Sequence, residues 1–261
     1  MTYKNFLEEI LPEAGDLIMS YRDKLNLAEE KTKNEIVTPA DIAANNFLVK
    51  QISASFPEIE IYTEEGTANK SKASNRWIVD PIDGTTPWVW GNSGFAISVA
   101  LENENEVVVG AVYDPVMKEL FYAERGKGAT RNGHPIRPSP EKTVANMLMV
   151  VDWGNNDDKR KEGIDYFSRF FIPQMFARRV VPQFAPALGL CHIAEGRIHA
   201  LVCNDTWVED HSAGALILKE AGGYRSNFYD TGSFSHRRPG IIATNSKFTH
   251  TSIVEFLGEG K

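Results

Sequence analysis

Apolar residues recur mostly at three- and four-residue steps at the start of the chain, at Phe6, Ile10, Leu11, Leu17, Ile18, Tyr21 and Leu25. That period predicts an amphipathic helix over residues 3 to 27, despite Pro12. The charged run AEEKTKNE, residues 28 to 35, has no period and reads as a solvated, mobile loop. A second helix starts in TPADIAANNFLVKQISASF, where Thr38 is the N-cap, Pro39 takes the first helical position and Asp41 sits in the first turn.

From Ile59 onward the pattern is that of strands: IEIYTEE, RWIVD, GFAISVALE, EVVVGAVYD and ELFYAE, joined by ENENE and DPVMK. This predicts an antiparallel meander. Asn132-Gly133 closes a further short hairpin. After the polar, proline-bearing stretch RPSPEKT, strands and helices alternate: strand MLMVVDW, a helix near 157 to 170, strand VVPQF, a helix over 186 to 195 and strand IHALVC. A helix over 209 to 221, strand GIIATN and a last helix complete the series. The change of rhythm predicts a junction near residue 142, between an α+β subdomain (1–142) and an α/β subdomain (143–261).

Composition narrows the class. With 261 residues and 42% apolar content the chain fills one large core or two closely joined ones. A formal charge of −7 argues against nucleic acid and anionic membrane as partners and favours a small ligand or a cation. Cys191 and Cys203 fall in segments that read as buried helix and strand, and two thiols make no secreted disulfide framework. The acidic N-terminal segment has neither a signal peptide's apolar core nor a membrane span, so a cytoplasmic protein is expected.

Candidate chemistry lies in carboxylates at predicted element ends: Asp41, Glu64 and Glu65, Asp80 and Asp83, Glu209 and Asp210. Any one of them is an ordinary cap or turn residue. Four groups converging would repel one another unless a hard divalent cation neutralised them, and Mg²⁺ takes oxygen ligands while keeping waters for exchange. In DPIDGTT, Pro81 restricts one dihedral and Gly84 permits a tight turn, so Asp80, the Ile82 carbonyl and Asp83 can point into one volume. A shared carboxylate there can hold two metals roughly 3.5 to 4 Å apart, as in phosphate-ester hydrolases. Thr85 and Thr86 follow, either as N–H donors to a phosphate oxygen or as simple N-caps.

WIVDPIDGTT, with YTEEG upstream and EDHSAGALILKEAGG downstream, resembles the inositol monophosphatase family of Mg²⁺-dependent, lithium-sensitive phosphatases. The likeness runs from VTPAD at 37 to 41 through EAGG at 220 to 223. It implies a five-layer α-β-α-β-α sandwich of the inositol monophosphatase/fructose-1,6-bisphosphatase type, with most metal ligands in the first subdomain and the second completing the site and substrate pocket. It further implies a homodimer and two or three Mg²⁺ ions per site. Glu64, Asp80, the Ile82 carbonyl, Asp83 and Asp210 would be the metal ligands, and Asp41 with Thr85 would orient and deprotonate the attacking water, Glu65 lying just outside. Gly84, Thr85 and Thr86 would meet the phosphate. The implied reaction is hydrolysis of a small phosphate ester by direct attack of a metal-activated water, with no phosphoenzyme.

Substrate recognition departs from the family pattern. FAPA, residues 184 to 187, replaces the small-residue run that touches the sugar ring, placing Ala185 there; Cys203 stands where inositol-hydrolysing members carry a Glu. A thiol is a poor acceptor for a hydroxyl, so the leaving group differs. PWVWG after DGTT adds Trp88 and Trp90, which read as core more readily than as a stacking platform. His211 reads as a surface or supporting residue, and Arg178 and Arg179 as solvated charge. The haloacid-dehalogenase phosphatases are set aside, because their aspartates stand two apart and Asp80 and Asp83 stand three apart. The non-enzymatic alternative is a metal-binding interaction partner on the same fold.

Overall fold

The computed structural model describes residues 1–22, 29–32, 35–68, 75–153, 157–171, 177–182 and 185–258. Helix α1 (Tyr3–Ser20) opens the chain, with Thr2 capping it through Asn5 N–H at 3.2 Å. It stops before the predicted residue 27 because Tyr21 closes it back onto the Ile18 and Met19 carbonyls; residues 23–28 lie outside the described ones. The stretch read as a loop instead carries a hairpin, β1 (Glu29–Thr32) against β2 (Glu35–Val37), pairing Glu29 with Val37. A short polar hairpin has no alternating apolar face, so hydrophobic period could not reveal it.

Helix α2 (Pro39–Ser55) begins with the predicted cap, now a reciprocal box: Thr38 accepts from Asp41 N–H and Asp41 accepts from Thr38 N–H. Next come β3 (Glu60–Thr63), β4 (Gly66–Ala68), β5 (Asn75–Asp83), the short helix α3 (Thr85–Val89), β6 (Ala96–Asn103), β7 (Glu106–Asp114), β8 (Glu119–Glu124), β9 (Ala129–Arg131) and β10 (His134–Pro135). The second half runs β11 (Leu148–Asp152), α4 (Asp157–Phe167), β12 (Arg179–Pro182), α5 (Pro186–Ala194), β13 (Ala200–Cys203), α6 (Val208–Ala221), β14 (Tyr224–Asn227), β15 (Ile241–Thr244) and α7 (Lys247–Gly258). Asn132 and Gly133 both take positive φ in the turn between β9 and β10, as the Asn-Gly pair predicts.

Strands β3 to β10 form one eight-stranded sheet in the order β10-β9-β8-β7-β6-β5-β3-β4, and β11 to β15 a five-stranded one, β12-β11-β13-β15-β14. The first is not a pure meander. Strand β3 runs parallel to β5, Thr63 opposite Val79, and β4 turns back outside it. Three apolar cores fill the four boundaries between five layers, the middle core lying on both faces of α5 and α6. Trp77, Val79, Ile97 and Val99 face α1 and α2, whereas Ile78, Ala96 and Ala100 on the same strands face α5 and α6. Val150, Leu201 and Ile241 close on those central helices from the other sheet, and Met149, Val202 and Ile242 turn outward with Phe167 and Ile253 on α4 and α7. Two-residue alternation therefore lets each sheet cover a helix pair on both faces, giving the five-layer α-β-α-β-α sandwich.

Among the described residues no helix is long and apolar enough to cross a membrane. Both cysteines are free and buried, Cys191 in α5 and Cys203 in β13.

Candidate metal centre

The end of β5 is built to turn two acids the same way. In a regular strand, residues three apart point to opposite faces. Here Asp80 pairs with Ser98 and Asp83 with Ala96, three steps on β5 against two on β6. That extra residue is a β-bulge, and Pro81 lies within it, where a missing N–H does least harm to the ladder. Asp80 Oδ1 accepts the Ile82 N–H at 2.9 Å, which holds the bulge. Gly84 then takes φ 89°, a left-handed conformation that starts α3 without a clash.

Helix α6 brings the third acid. Asp210 caps its own helix by accepting the Trp207 N–H at 2.6 Å. Oxygens of Asp80, Asp83 and Asp210 all lie within 4.8 Å of one another. The approach of α6 to the sheet depends on Gly110 in β7: a Cβ there would stand 2.7 Å from the Ala213 carbonyl. Ser98 on β6 also donates to the Glu209 carbonyl at 3.2 Å, pinning the first turn of α6 above β5.

Asp80 and Asp83 are each 3% exposed. Burial pushes the Asp80 carboxyl well above the usual carboxylate range, and the charges of Glu64, Asp83 and Asp210 push it further. Burial raises Asp83 too, then the charge of Asp210, while N–H groups of Ala187 and Leu188 at the start of α5 oppose the rise. The Ala187 N–H reaches Asp83 Oδ2 at 2.8 Å. Asp210 is raised by burial and then by the charge of Glu209.

Asp41 and Thr85, distant in sequence, meet beside this cluster. Asp41 is 1% exposed; its Oδ2 accepts both the Thr38 N–H, at 2.8 Å, and the Thr38 hydroxyl. Its Oδ1 faces the Thr85 hydroxyl at 3.4 Å, and that hydroxyl also lies 3.1 Å from the Ile82 carbonyl. Capping and a second task are thus divided between the two oxygens of one carboxylate. Burial, the largest influence on Asp41, raises its pKa against the Thr38 hydrogen bonds.

Other sequence-derived candidates fall elsewhere. Glu64 is exposed and is not one of the three clustered acids, although its charge acts on Asp80 and Asp210. Thr86 is exposed. Ala185 is buried just before α5, and Phe184 lies outside the described residues. The Cys203 thiol is buried, opposite Asp152 in the β11–β13 register. Trp88 is core, but Trp90 is 75% exposed, which divides a pair that read alike. His211 is fully buried rather than at the surface, its ring between the Thr206 hydroxyl and the His236 carbonyl at 2.8 and 2.9 Å; burial lowers it to about 4.

Two contributors escaped the sequence reading. Asp152, at the end of β11, is raised to about 7 by burial and adds its charge to Asp83 and Asp210. It ends an apolar strand just as Asp80 does, so the same rule applied to MLMVVD would have found it. The Ala187 N–H carries no side-chain signal at all.

The chain matches the profile of the inositol monophosphatase family over residues 2–259. The chain belongs to the inositol monophosphatase family. It is 34% identical over 263 residues to a fructose-1,6-bisphosphatase/inositol-1-monophosphatase of Thermotoga maritima, covering 98% of this chain and 95% of that one. It is 32% identical over 232 residues to the Nus factor SuhB of Vibrio cholerae, covering 88% and 85%. The solved inositol monophosphatase of Thermotoga maritima superposes with a TM-score of 0.86 at 30% identity, covering 99% and 98%. Family membership supports phosphatase chemistry. Members generally use Mg²⁺, and the donor set here suits it: three carboxylates with no nearby cation of the protein's own among their leading influences, in surroundings that disfavour their charge.

Helix packing behind the acid cluster supplies a test. Gly214 in α6 faces α5, and a Cβ there would stand 2.8 Å from Leu190 Cβ and 2.9 Å from the carbonyl of Ala187, whose N–H holds Asp83. Gly214→Ala is expected to cost about 1–3 kcal/mol by overpacking, measured by urea denaturation. It should also lower turnover by displacing the start of α5; wild-type stability would mean that α5 and α6 can separate freely.

Proposed function

We propose that the chain is a Mg²⁺-dependent phosphomonoesterase that hydrolyses a small phosphorylated metabolite, an inositol, sugar or nucleotide phosphate, by direct attack of water. The observation that carries this reading is the Thr85 hydroxyl, placed between Asp41 Oδ1 and the Ile82 carbonyl beside the three clustered acids. A purely structural metal site has no use for that pair.

Asp80, Asp83, Asp210, the Ile82 carbonyl and Glu64 are the residues that would hold the ions. Bound there, Mg²⁺ lowers the pKa of water and neutralises charge on the phosphoryl oxygens. The rest falls to the chain's own groups. Thr85 has a single hydroxyl hydrogen, which serves one acceptor at a time; given to Asp41 Oδ1, it leaves the Ile82 carbonyl free as an oxygen donor that would hold a cation. The lone pairs of the Thr85 oxygen then accept a hydrogen bond from the attacking water, so Thr85 orients the water and passes its proton toward Asp41. Asp41 suits the task because burial raises its pKa, making it a better base than a solvated carboxylate. The Thr38 contacts keep its other oxygen occupied and its rotamer set. Gly84 and Thr86 would border the phosphate, and Ala185 and Cys203 the leaving group.

A second reading, a metal-binding interaction partner with little or no phosphatase activity, is favoured by the likeness to a protein named as a Nus factor. One experiment separates the two. Phosphate release is measured across a panel of inositol, sugar and nucleotide monophosphates with Mg²⁺ present, and turnover of at least one group is expected. No release from any of them would overturn the enzymatic reading in favour of the second.

A further inference from the structure

A cavity of about 190 Å³ opens between the β6–β7 turn, one side of α6 and β14. Arg125, Lys219, Arg225 and His236 line it, with Phe234 and a single carboxylate, Glu106. None of the three clustered acids is among its walls. We propose that this cavity is a binding site for a small phosphate-type oxyanion, separate from the metal centre.

Arg225 is the central observation. Its guanidinium lies over the Phe234 ring at 4.4 Å, which orients it without neutralising it. Its Nε is buried with no hydrogen-bond partner, and the guanidinium makes no ion pair among the described residues. Burial lowers its pKa to about 10, with only the charge of Glu220 opposing. A guanidinium so placed is costly unless something accepts its hydrogen bonds. The neighbouring groups do not fill that role. Glu106 is engaged by Arg125, Nη2 donating at 2.8 Å, and Glu220 accepts the Gly128 N–H at 3.1 Å. His236 is turned to Glu102, 2.8 Å from its carboxylate. Lys219, exposed in the last turn of α6, makes no ion pair among the described residues and adds a second cation at the mouth.

The chemistry selects the ligand. A planar guanidinium fork with an ammonium beside it fits a tetrahedral oxyanion bearing two charges. The volume is many times the roughly 10–15 Å³ that one water needs, so a phosphate fits with a small substituent against Phe234. Free phosphate and a phosphate monoester share this chemistry.

The test is calorimetric titration of inorganic phosphate into the full chain with Mg²⁺ at constant ionic strength, for wild type, Arg225→Gln, Lys219→Gln and Asp83→Asn. Arg225→Gln is expected to weaken one phosphate site at least about tenfold and Lys219→Gln about two- to fivefold. Arg225→Gln should melt no lower than wild type without phosphate, since it removes a buried Nε–H that has no acceptor. Asp83→Asn should leave this site intact and remove only binding at the metal centre. Failure of that arm alone would count against the proposed phosphatase site and not against this one. Wild-type phosphate binding in both Arg225→Gln and Lys219→Gln would overturn the inference. Repeating the titration with β-glycerophosphate in the Asp83→Asn background separates the sources: tighter binding than phosphate assigns the site to an ester, equal or weaker binding to free phosphate.

Discussion

Replacing Asp83 by Asn is expected to abolish phosphate release while leaving the fold intact. The side chain is 3% exposed and accepts the Ala187 N–H at 2.8 Å, and the amide oxygen of Asn can keep that hydrogen bond in nearly the same volume. What it cannot keep is the negative charge. A catalytic metal supplies several kcal/mol of charge stabilisation, so loss of an anionic ligand is expected to reduce turnover by at least about 10³-fold, roughly 4 kcal/mol. Stability should move the other way. Without metal, burial and the charge of Asp210 make Asp83 costly to ionise, and the charge of Asp83 in turn raises Asp80, so removing the Asp83 charge relieves both. Calorimetry in chelator should therefore find the variant melting at or above wild type, and Mg²⁺ should add little to it. Undiminished turnover would remove Asp83 from the metal site.

Chelation of the wild-type protein is expected to abolish activity and to expose a stability that falls as pH rises. The sign follows from the buried acids. Asp80, Asp83 and Asp210 have folded-state pKa values raised well above those of the unfolded chain, and Asp152 is raised to about 7. Between an unfolded value of about 3.9 and the raised folded value, the native state holds protons that the unfolded state has released. Unfolding free energy then decreases with pH across that window. It is greatest below about pH 4 as far as these groups are concerned, and declines through pH 7 as Asp152 and its neighbours ionise. Mg²⁺ takes over the neutralising role of those protons. The melting temperature with Mg²⁺ minus that without should therefore widen from pH 5 to pH 8. A difference that stays constant or narrows would show that the acids are not the metal ligands. Li⁺ is expected to inhibit at the same site, an outcome read in the same phosphate-release assay.

Much of the fold was legible because its sheets are covered on both faces by helices, which leaves long apolar strands and clear helical periods. The N-cap of α2, the strands from β5 to β8 and most of the alternation after residue 147 follow from local pattern, but β14, which comes straight after α6 and pairs antiparallel with β15, is not among the strands that pattern predicts. What local pattern misled on had no apolar face to announce it. The hairpin at 29–37 is polar and short, and the parallel pairing of β3 with β5 is a matter of tertiary contact rather than of composition. Trp88 and Trp90, two residues apart, read alike in sequence, yet one is buried and the other exposed, since two residues along a helix point about 200° apart, to opposite sides.

The sequence by itself determined which groups stand at the ends of which elements. An Asp after an apolar strand, a Pro-Ile-Asp-Gly turn and a capped helix with a first-turn Asp are local facts, and they carried the family resemblance. Tertiary structure alone decided that these groups meet. A one-residue bulge against β6 turns Asp80 and Asp83 to one side, the bare backbone of Gly110 admits α6 and Asp210, and the start of α5 supplies an N–H to Asp83. The reason is physical. Convergence of like charges is opposed by every local preference, so it exists only where the packing of distant layers holds it in place.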